Sequence, residues 1–278
     1  MADEMRRLNP TSRTIDQLVR LGQSAVKPAK QLGHFLGKAY INKLTRDDFE
    51  YQHAPRRNER AVEYQFVFRS LIQTGANTVL DVGTGDTALP HLLRTCGCHV
   101  TAIDNVDDFW PTGMINRHWY VLKDDIREPK VKGPFDLITC ISVIEHIEDH
   151  LSSIIGMVRM LAPNGHLVLT TPYSERRSVP NVYAEPGAAY GQDAPYICRS
   201  SSRKELTQWL DTTGTEIVLQ EYWRCWTGPF WTQGERYLVP EQVTADEPHQ
   251  LACLLLRRGS VPRPEQSSSN AGISHEMG

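Results

Sequence analysis

Thr78-Val79-Leu80-Asp81-Val82-Gly83-Thr84-Gly85-Asp86 sets the architecture of this chain. Its first half is an apolar strand signal. Its second half is a glycine-rich turn, and an amphipathic helix follows. A strand that breaks into such a turn before a helix N-terminus makes an anion-binding corner. Glycine lets the backbone approach a ligand where a Cβ would collide. Gly83, Gly85 and Ala88 also satisfy the spacing G-x-G-x-x-G/A, so the turn alone does not choose between nucleotide cofactors. Asp81, two residues before the first glycine, narrows the choice, because that position is usually apolar in nicotinamide and flavin folds.

Working outward, strand and helix signals alternate. Residues 78–82 read as a strand. Leu89, Leu92, Leu93 and Cys96 then mark one buried helix face. Strands are expected at 99–103, 119–122, 135–141 and 166–170. A helix is expected from His146 to Leu161, and Pro163-Asn164-Gly165 reads as a turn. Ser202-x-x-Glu205 is a capping box that opens a helix ending at Gly214. Residues 215–220 and 250–256 read as two final strands with no helix between them, which suggests an antiparallel edge. Near-continuous apolar strands separated by helices argue for a parallel sheet covered on both faces.

Before the glycine turn lie a short helix signal at Ile15, Leu18 and Val19 and a longer one from Asn58 to about Gln73. The longer one carries Ala61, Tyr64, Phe68, Leu71 and Ile72 on one side, and Gly75 stops it. Residues 24–57 show no decisive pattern. The expected division is a helical extension over 1–60, one α/β domain over 61–258 with aromatic insertions at 172–201 and 221–248, and a polar, disordered tail over 259–278.

The 278 residues carry a net charge of −3, 40% hydrophobic and 23% charged residues. These values suit a globular protein and give no global attraction to nucleic acid. Residues 1–60 hold 12 Lys and Arg against 7 Asp and Glu, a mildly basic face. Cysteines 96, 98, 140, 198, 225 and 253 form no Cys-x-x-Cys pair and read as reduced structural thiols. With no apolar leader and no run near the ~20 residues of a membrane span, a cytoplasmic protein is expected.

In an open parallel sheet, ligands bind at the carboxyl ends of the strands. Those ends carry Asp81, Gly83, Thr84 and Gly85; Asp104 and Asn105; Asp125 and Ile126; and Ile141 and Ser142, followed by Glu145-His146. Asp104 is 21 residues beyond Gly83, where an acid accepts bonds from two ribose hydroxyls. Asp125 beside Ile126 suits an adenine, bonded at its amino group and covered on one face. Structural alternatives stand beside these readings. Asp81 could cap the turn through backbone amides, and Asp124 is expected to be a surface charge.

This ordered set resembles the class I S-adenosylmethionine-dependent methyltransferases. Residues 79–85, 100–104, 123–126, 135–147 and 161–169 are similar to successive motifs of that family, with Asn164 where a glycine is commoner. The resemblance implies a Rossmann-like, doubly wound, mostly parallel seven-stranded sheet in the order 3-2-1-4-5-7-6. It also implies S-adenosylmethionine as cofactor, with the strand-end residues around it. His146 is the first candidate for a catalytic base, with a role in the cofactor site or in capping as the equal alternative, and Tyr173 is the second candidate. Some relatives use Glu-x-x-Glu-His as metal ligands. Here Ser142 occupies the first carboxylate position, and no metal is expected.

Tyr183, Tyr190 and Tyr196 in one insertion, and Tyr222, Trp223, Trp226, Phe230 and Trp231 in the other, either stack an acceptor or close a satellite core. Phe109, Trp110, Met114, Arg117 and His118 offer another wall. The expected acceptor is a small molecule methylated on O or N, such as a sugar or secondary metabolite. An RNA methyltransferase and a catalytically silent cofactor- or partner-binding subunit are the rival readings. Residues 1–60 fit a lid, a homodimer arm or packing.

Overall fold

The computed structural model describes residues 28–43, 45, 46, 50, 58–105 and 116–259. The helix signal at Ile15–Val19, the tail beyond Gly259 and the aromatic residues Phe109, Trp110 and Met114 lie outside the described residues. Two compact units divide the chain, Met1–Arg56 and Arg57–Gly278. Within the first, residues 28–43 are helical, which the undecided pattern over 24–57 left open.

The second unit opens with α1 (Arg60–Thr74). Asn58 Oδ1 accepts the Arg60 amide at 3.3 Å, and Gly75 ends the helix at φ 62°. The buried face is Val62, Glu63, Phe66, Val67 and Ser70. It is turned from the expected one, since Ala61 and Ile72 are exposed. The cause is Glu63, which finds polar partners at the carboxyl ends of the central strands, on Ser142 and Thr170, and fixes the helix roll about itself.

The sheet follows: β1 (Thr78–Val82), α2 (Leu89–Thr95), β2 (His99–Asp104), β3 (Leu122–Lys123) and β4 (Phe135–Ile141). Next come α3 (His150–Met160), β5 (Leu161–Ser174), β6 (Ser201–Ser202), α4 (Arg203–Thr213), β7 (Thr215–Trp226), β8 (Arg236–Val243) and β9 (Leu251–Arg258). The strand order is β3-β2-β1-β4-β5-β9-β7-β8, with β6 paired to β5 off this path. β1, β2, β3, β4 and β5 are mutually parallel, while β9 pairs antiparallel with both β5 and β7. With β9 as seventh and β7 as sixth strand, the expected 3-2-1-4-5-7-6 order is present. One further edge strand, β8, is added by a hairpin from β7.

Four elements depart from the sequence reading. The strand expected at 119–122 shrinks to Leu122–Lys123, with Trp119 and Tyr120 outside it. The helix expected from His146 starts at His150, because the Asp149 side chain accepts the Ser152 amide at 3.1 Å and caps it there. Residues Ile144–His146 form a separate 3-10 turn. The Pro163-Asn164-Gly165 turn is absorbed into β5 as an irregularity, with Asn164 at φ 61°. The 221–248 insertion is largely strand, since Tyr222–Trp226 extend β7 and Arg236–Val243 form β8.

Two apolar layers sandwich the sheet. Phe66, Val67, Leu89, Leu93 and Val168 lie in one, under α1 and α2. Ile138, Ile154, Met157, Leu206 and Trp209 lie in the other, under α3 and α4. Burying a large apolar side chain contributes about 1.5–3 kcal/mol. These layers hold the strand ends rigid where the loops converge.

Candidate active site

The glycine turn takes its shape from two acids in different ways. Gly83 and Gly85 adopt φ 71° and 56°, which other residues occupy only with strain. A Cβ on Gly83 would collide with the Val143 side chain. Asp104, at the end of β2, accepts the Gly85 amide at 2.6 Å and so caps the turn. Asp81 instead accepts two hydroxyls, Thr139 Oγ1 at 2.6 Å and Thr84 Oγ1 at 2.8 Å. The backbone-capping role considered for Asp81 therefore falls to Asp104. Burial pushes the Asp81 carboxyl up to about 6, against the lowering effect of both hydroxyls. Burial also raises Asp104, against the Gly85 and Asn105 amides.

A cavity of about 660 Å³ opens over these strand ends. That volume falls within the usual range for small-molecule sites. Gly83, Thr84, Gly85, Asp104 and Asn105 form one wall. Asp125, Ile126 and Arg127 form the second, and Ser142, Val143 and His146 the floor. Three expected site residues stand apart from this lining. Asp81 lies behind the turn, and Ile141 is buried in β4. Tyr173 packs on the α3–α4 side of the sheet, its ring stacked on His249 at 5.8 Å and near Arg203. Burial pushes the Tyr173 phenol further above its ordinary range. It neither reaches the cavity nor is poised to take a proton there, which corrects its candidacy as a base.

Asp124 is likewise corrected. It is 5% exposed and accepts the amides of Lys130 and Val131 at 2.9–3.0 Å, folding the loop after β3 over itself. Asp125 is the more open acid and chelates the Arg127 guanidinium, whose hydrogen bonds hold its carboxyl below the usual range.

His146 is held from one side. Its Nδ1 lies 2.7 Å from the Ile197 carbonyl oxygen, a partner that accepts only. Nδ1 therefore carries the proton, and Nε2 presents a lone pair. The Tyr196 ring meets the imidazole edge-to-face at 4.7 Å. Burial, with a smaller push from Arg60, holds the imidazole below its ordinary range despite the Ile197 bond, so the ring is neutral at pH 7. Beneath it, burial pushes Glu145 up to about 8.

Several residues on or under this cavity carry no sequence signal. Arg60 lines it from the start of α1 and donates to Glu63 at 2.9 Å and to the Ile141 carbonyl at 3.3 Å. Glu63, fully buried, accepts Ser142 Oγ at 2.5 Å and Thr170 Oγ1 at 2.7 Å. Ser142 sits at φ 52°, a strained backbone that this bond helps to hold. Asn181 also lines the cavity, its Oδ1 accepting the amides of Tyr183 and Cys198 at 3.1 Å. Of the insertion aromatics, Tyr183, Tyr190, Trp226 and Trp231 pack ring against ring as a satellite core, and Tyr196 reaches the cavity wall. Among the described residues, no three His, Cys, Asp or Glu side chains gather as a metal site, and no helix is long and apolar enough to cross a membrane.

Comparison with known proteins fits this geometry. A family model described as a methyltransferase domain matches residues 49–220. Ubiquinone biosynthesis O-methyltransferase of Xanthomonas axonopodis pv. citri is 28% identical over 180 residues, 59% of this chain and 74% of that protein. The Marinobacter nauticus protein of the same name is 28% identical over 130 residues, 43% of this chain and about half, 53%, of its own length. Among solved structures, Burkholderia thailandensis 1,6-didemethyltoxoflavin-N1-methyltransferase shares the fold. It has a TM-score of 0.50 and 13% identity, over 81% of this chain and 90% of that one. The match over more than half the chain and the strand order agree: this chain belongs to the methyltransferase domain family, within the class I S-adenosylmethionine-dependent superfamily.

Proposed function

We propose that this chain methylates a hydroxyl of a small-molecule acceptor, with His146 Nε2 as the base. One observation carries the reading: His146 lines the cavity of the glycine turn with Nδ1 committed to the Ile197 carbonyl, which leaves Nε2 as the nitrogen that can accept a proton. When bound, S-adenosylmethionine supplies a methyl carbon already activated by its sulfonium. The chain then has to orient the acceptor, exclude water and take up one proton. Asp104 suits the ribose hydroxyls, and Asp125 with Ile126 suits the adenine. The main chain at Gly83, Thr84, Gly85 and Ser142, with Asn105, forms the cradle. The Val143 side chain fills the place a Cβ on Gly83 would need, so the turn admits a ligand only as glycine. Arg60 supplies a cation for a carboxylate. Asp81 acts from behind, fixing Thr84.

Ile147, Pro195, Tyr196 and Ile197 line the end of the cavity near His146. Their apolar surface suits a compact, uncharged acceptor better than a polyanion. The names of the O-methyltransferase relatives agree with oxygen as the acceptor atom. The test is transfer of labelled methyl from S-adenosylmethionine to a panel of hydroxylated and amino compounds, by wild type and His146→Ala. Turnover on a hydroxylated compound should fall about 10²–10⁴-fold in the variant. Unchanged turnover removes His146 from the chemistry, and transfer confined to amines removes oxygen as the acceptor atom.

A further inference from the structure

The outgoing limb of the glycine turn is fixed by a side chain from far along the chain. Gly83 and Thr84 donate their amides to the Ile103 carbonyl, and Asp104 takes the Gly85 amide. The carbonyls of Gly85 and Thr87 have a different partner. Both accept from one atom, Asn116 Nδ2, at 2.9 Å each. The other end of that side chain, Oδ1, accepts the backbone amides of His118 and Trp119 at 2.8 Å. Both hydrogens and both acceptor sites of the Asn116 amide are thus in use. Its orientation follows from these partners, since carbonyls only accept and main-chain N–H groups only donate. The helix offers the two carbonyls nothing: α2 starts at Leu89, and the Leu92 amide goes to the Ala88 carbonyl.

The clamp sets the direction of a donor inside the turn. The Gly85 carbonyl and the Asp86 amide belong to one planar trans peptide, so they point in opposite directions. With the carbonyl turned to Asn116, the Asp86 N–H points away from it. That N–H has no hydrogen-bond partner among the described residues. Asp86 lines the cavity, while Asn116 is not among the lining residues. A main-chain donor without a partner at a ligand cavity is matched by an oxygen acceptor on the ligand.

We propose that Asn116 is a positioning residue of the cofactor site: its clamp on Gly85 and Thr87 holds the Asp86 amide ready for an oxygen of the bound cofactor. This rests on S-adenosylmethionine lying over the glycine turn, and not on His146 as the base. The turn alone does not show it, because Asn116 is 31 and 29 positions from the carbonyls it holds.

The test separates the two ends of the side chain in the full protein at pH 7. Asn116→Asp keeps an oxygen for His118 and Trp119 but has no hydrogen for Gly85 and Thr87. Asn116→Ala loses both ends. In calorimetric titration, S-adenosylhomocysteine should bind both variants about tenfold more weakly than wild type, the loss expected for one or two net hydrogen bonds. In nitrogen-15 NMR spectra, the Asp86 amide proton of wild type should move downfield when S-adenosylhomocysteine is added, and should stay nearly in place in Asn116→Asp. A role confined to the fold of the 116–119 loop would leave Asn116→Asp binding like wild type, which overturns the proposal. An Asp86 proton that does not move in wild type overturns it too. If Asn116→Ala does not fold, the Asn116→Asp titration decides alone. Wild type that binds while both variants stay within threefold overturns the clamp only, whereas wild type that fails to bind S-adenosylhomocysteine overturns the cofactor site with it.

Discussion

Replacing Glu63 by Ala removes the polar pin between α1 and the carboxyl ends of the central strands β4 and β5. Three bonds disappear: Ser142 Oγ at 2.5 Å, Thr170 Oγ1 at 2.7 Å and Arg60 at 2.9 Å. A hydrogen bond to a charged group contributes about 1.5–3 kcal/mol. The two hydroxyl bonds, both made to a fully buried carboxylate, therefore account for about 3–6 kcal/mol. The Arg60 side chain is 33% exposed, so its ion pair is partly screened and adds about 1 kcal/mol or less. The expected loss is about 3–7 kcal/mol, read by urea unfolding at pH 7 with tryptophan fluorescence. Glu63→Gln keeps an acceptor oxygen for both hydroxyls and should lose only about 1–2 kcal/mol. Loss of the pin also frees Ser142 from φ 52°. The cavity floor should then relax, and affinity for S-adenosylhomocysteine should fall about tenfold, the equivalent of ~1.4 kcal/mol. A loss under about 1 kcal/mol in Glu63→Ala, with affinity unchanged, would refute the claim that this acid sets the helix roll and the floor.

Asp81 makes a pH prediction. Its folded carboxyl stands near 6, above the unfolded value of 3.8. Its contribution to stability is therefore fully present below about pH 4 and is lost as pH rises through 6. Asp81→Asn should flatten the decline of stability between pH 4 and 7 by roughly 2–3 kcal/mol, measured by urea midpoints across that range. An unchanged slope would mean that the carboxyl ionises freely when folded. Asp104→Ala should weaken S-adenosylhomocysteine binding about 10²-fold in calorimetric titration, because it removes both the proposed ribose acceptor and the cap on Gly85. Binding within threefold of wild type would take the ribose away from this residue.

The strand ends were legible because their signals are local. A glycine at positive φ, an acid after a β-branched run and a capping Ser202-Glu205 pair each act within a few residues. Alternation gave the parallel sheet and the missing helix between the last two strands gave the antiparallel edge, while the strand order itself was what the family resemblance implied. What stayed hidden depends on contacts across the chain. Glu63 and Ser142 are 79 positions apart, and His146 reaches Ile197 across 51. No periodicity carries such pairings, so Arg60, Glu63 and Asn181 passed as ordinary helix and loop residues. β8 was missed because Pro240 and flanking polar residues fit an edge strand as well as a loop. Tyr173 shows the converse error. Its place in the loop expected after the fifth strand suggested the cavity, but β5 runs on to Ser174 and its alternation turns the ring to the opposite face. A strand-end position fixes which backbone reaches a site, while side-chain parity and long-range partners decide which groups act there. At His146 both conditions meet: a local turn sets the backbone, and a distant carbonyl fixes the tautomer.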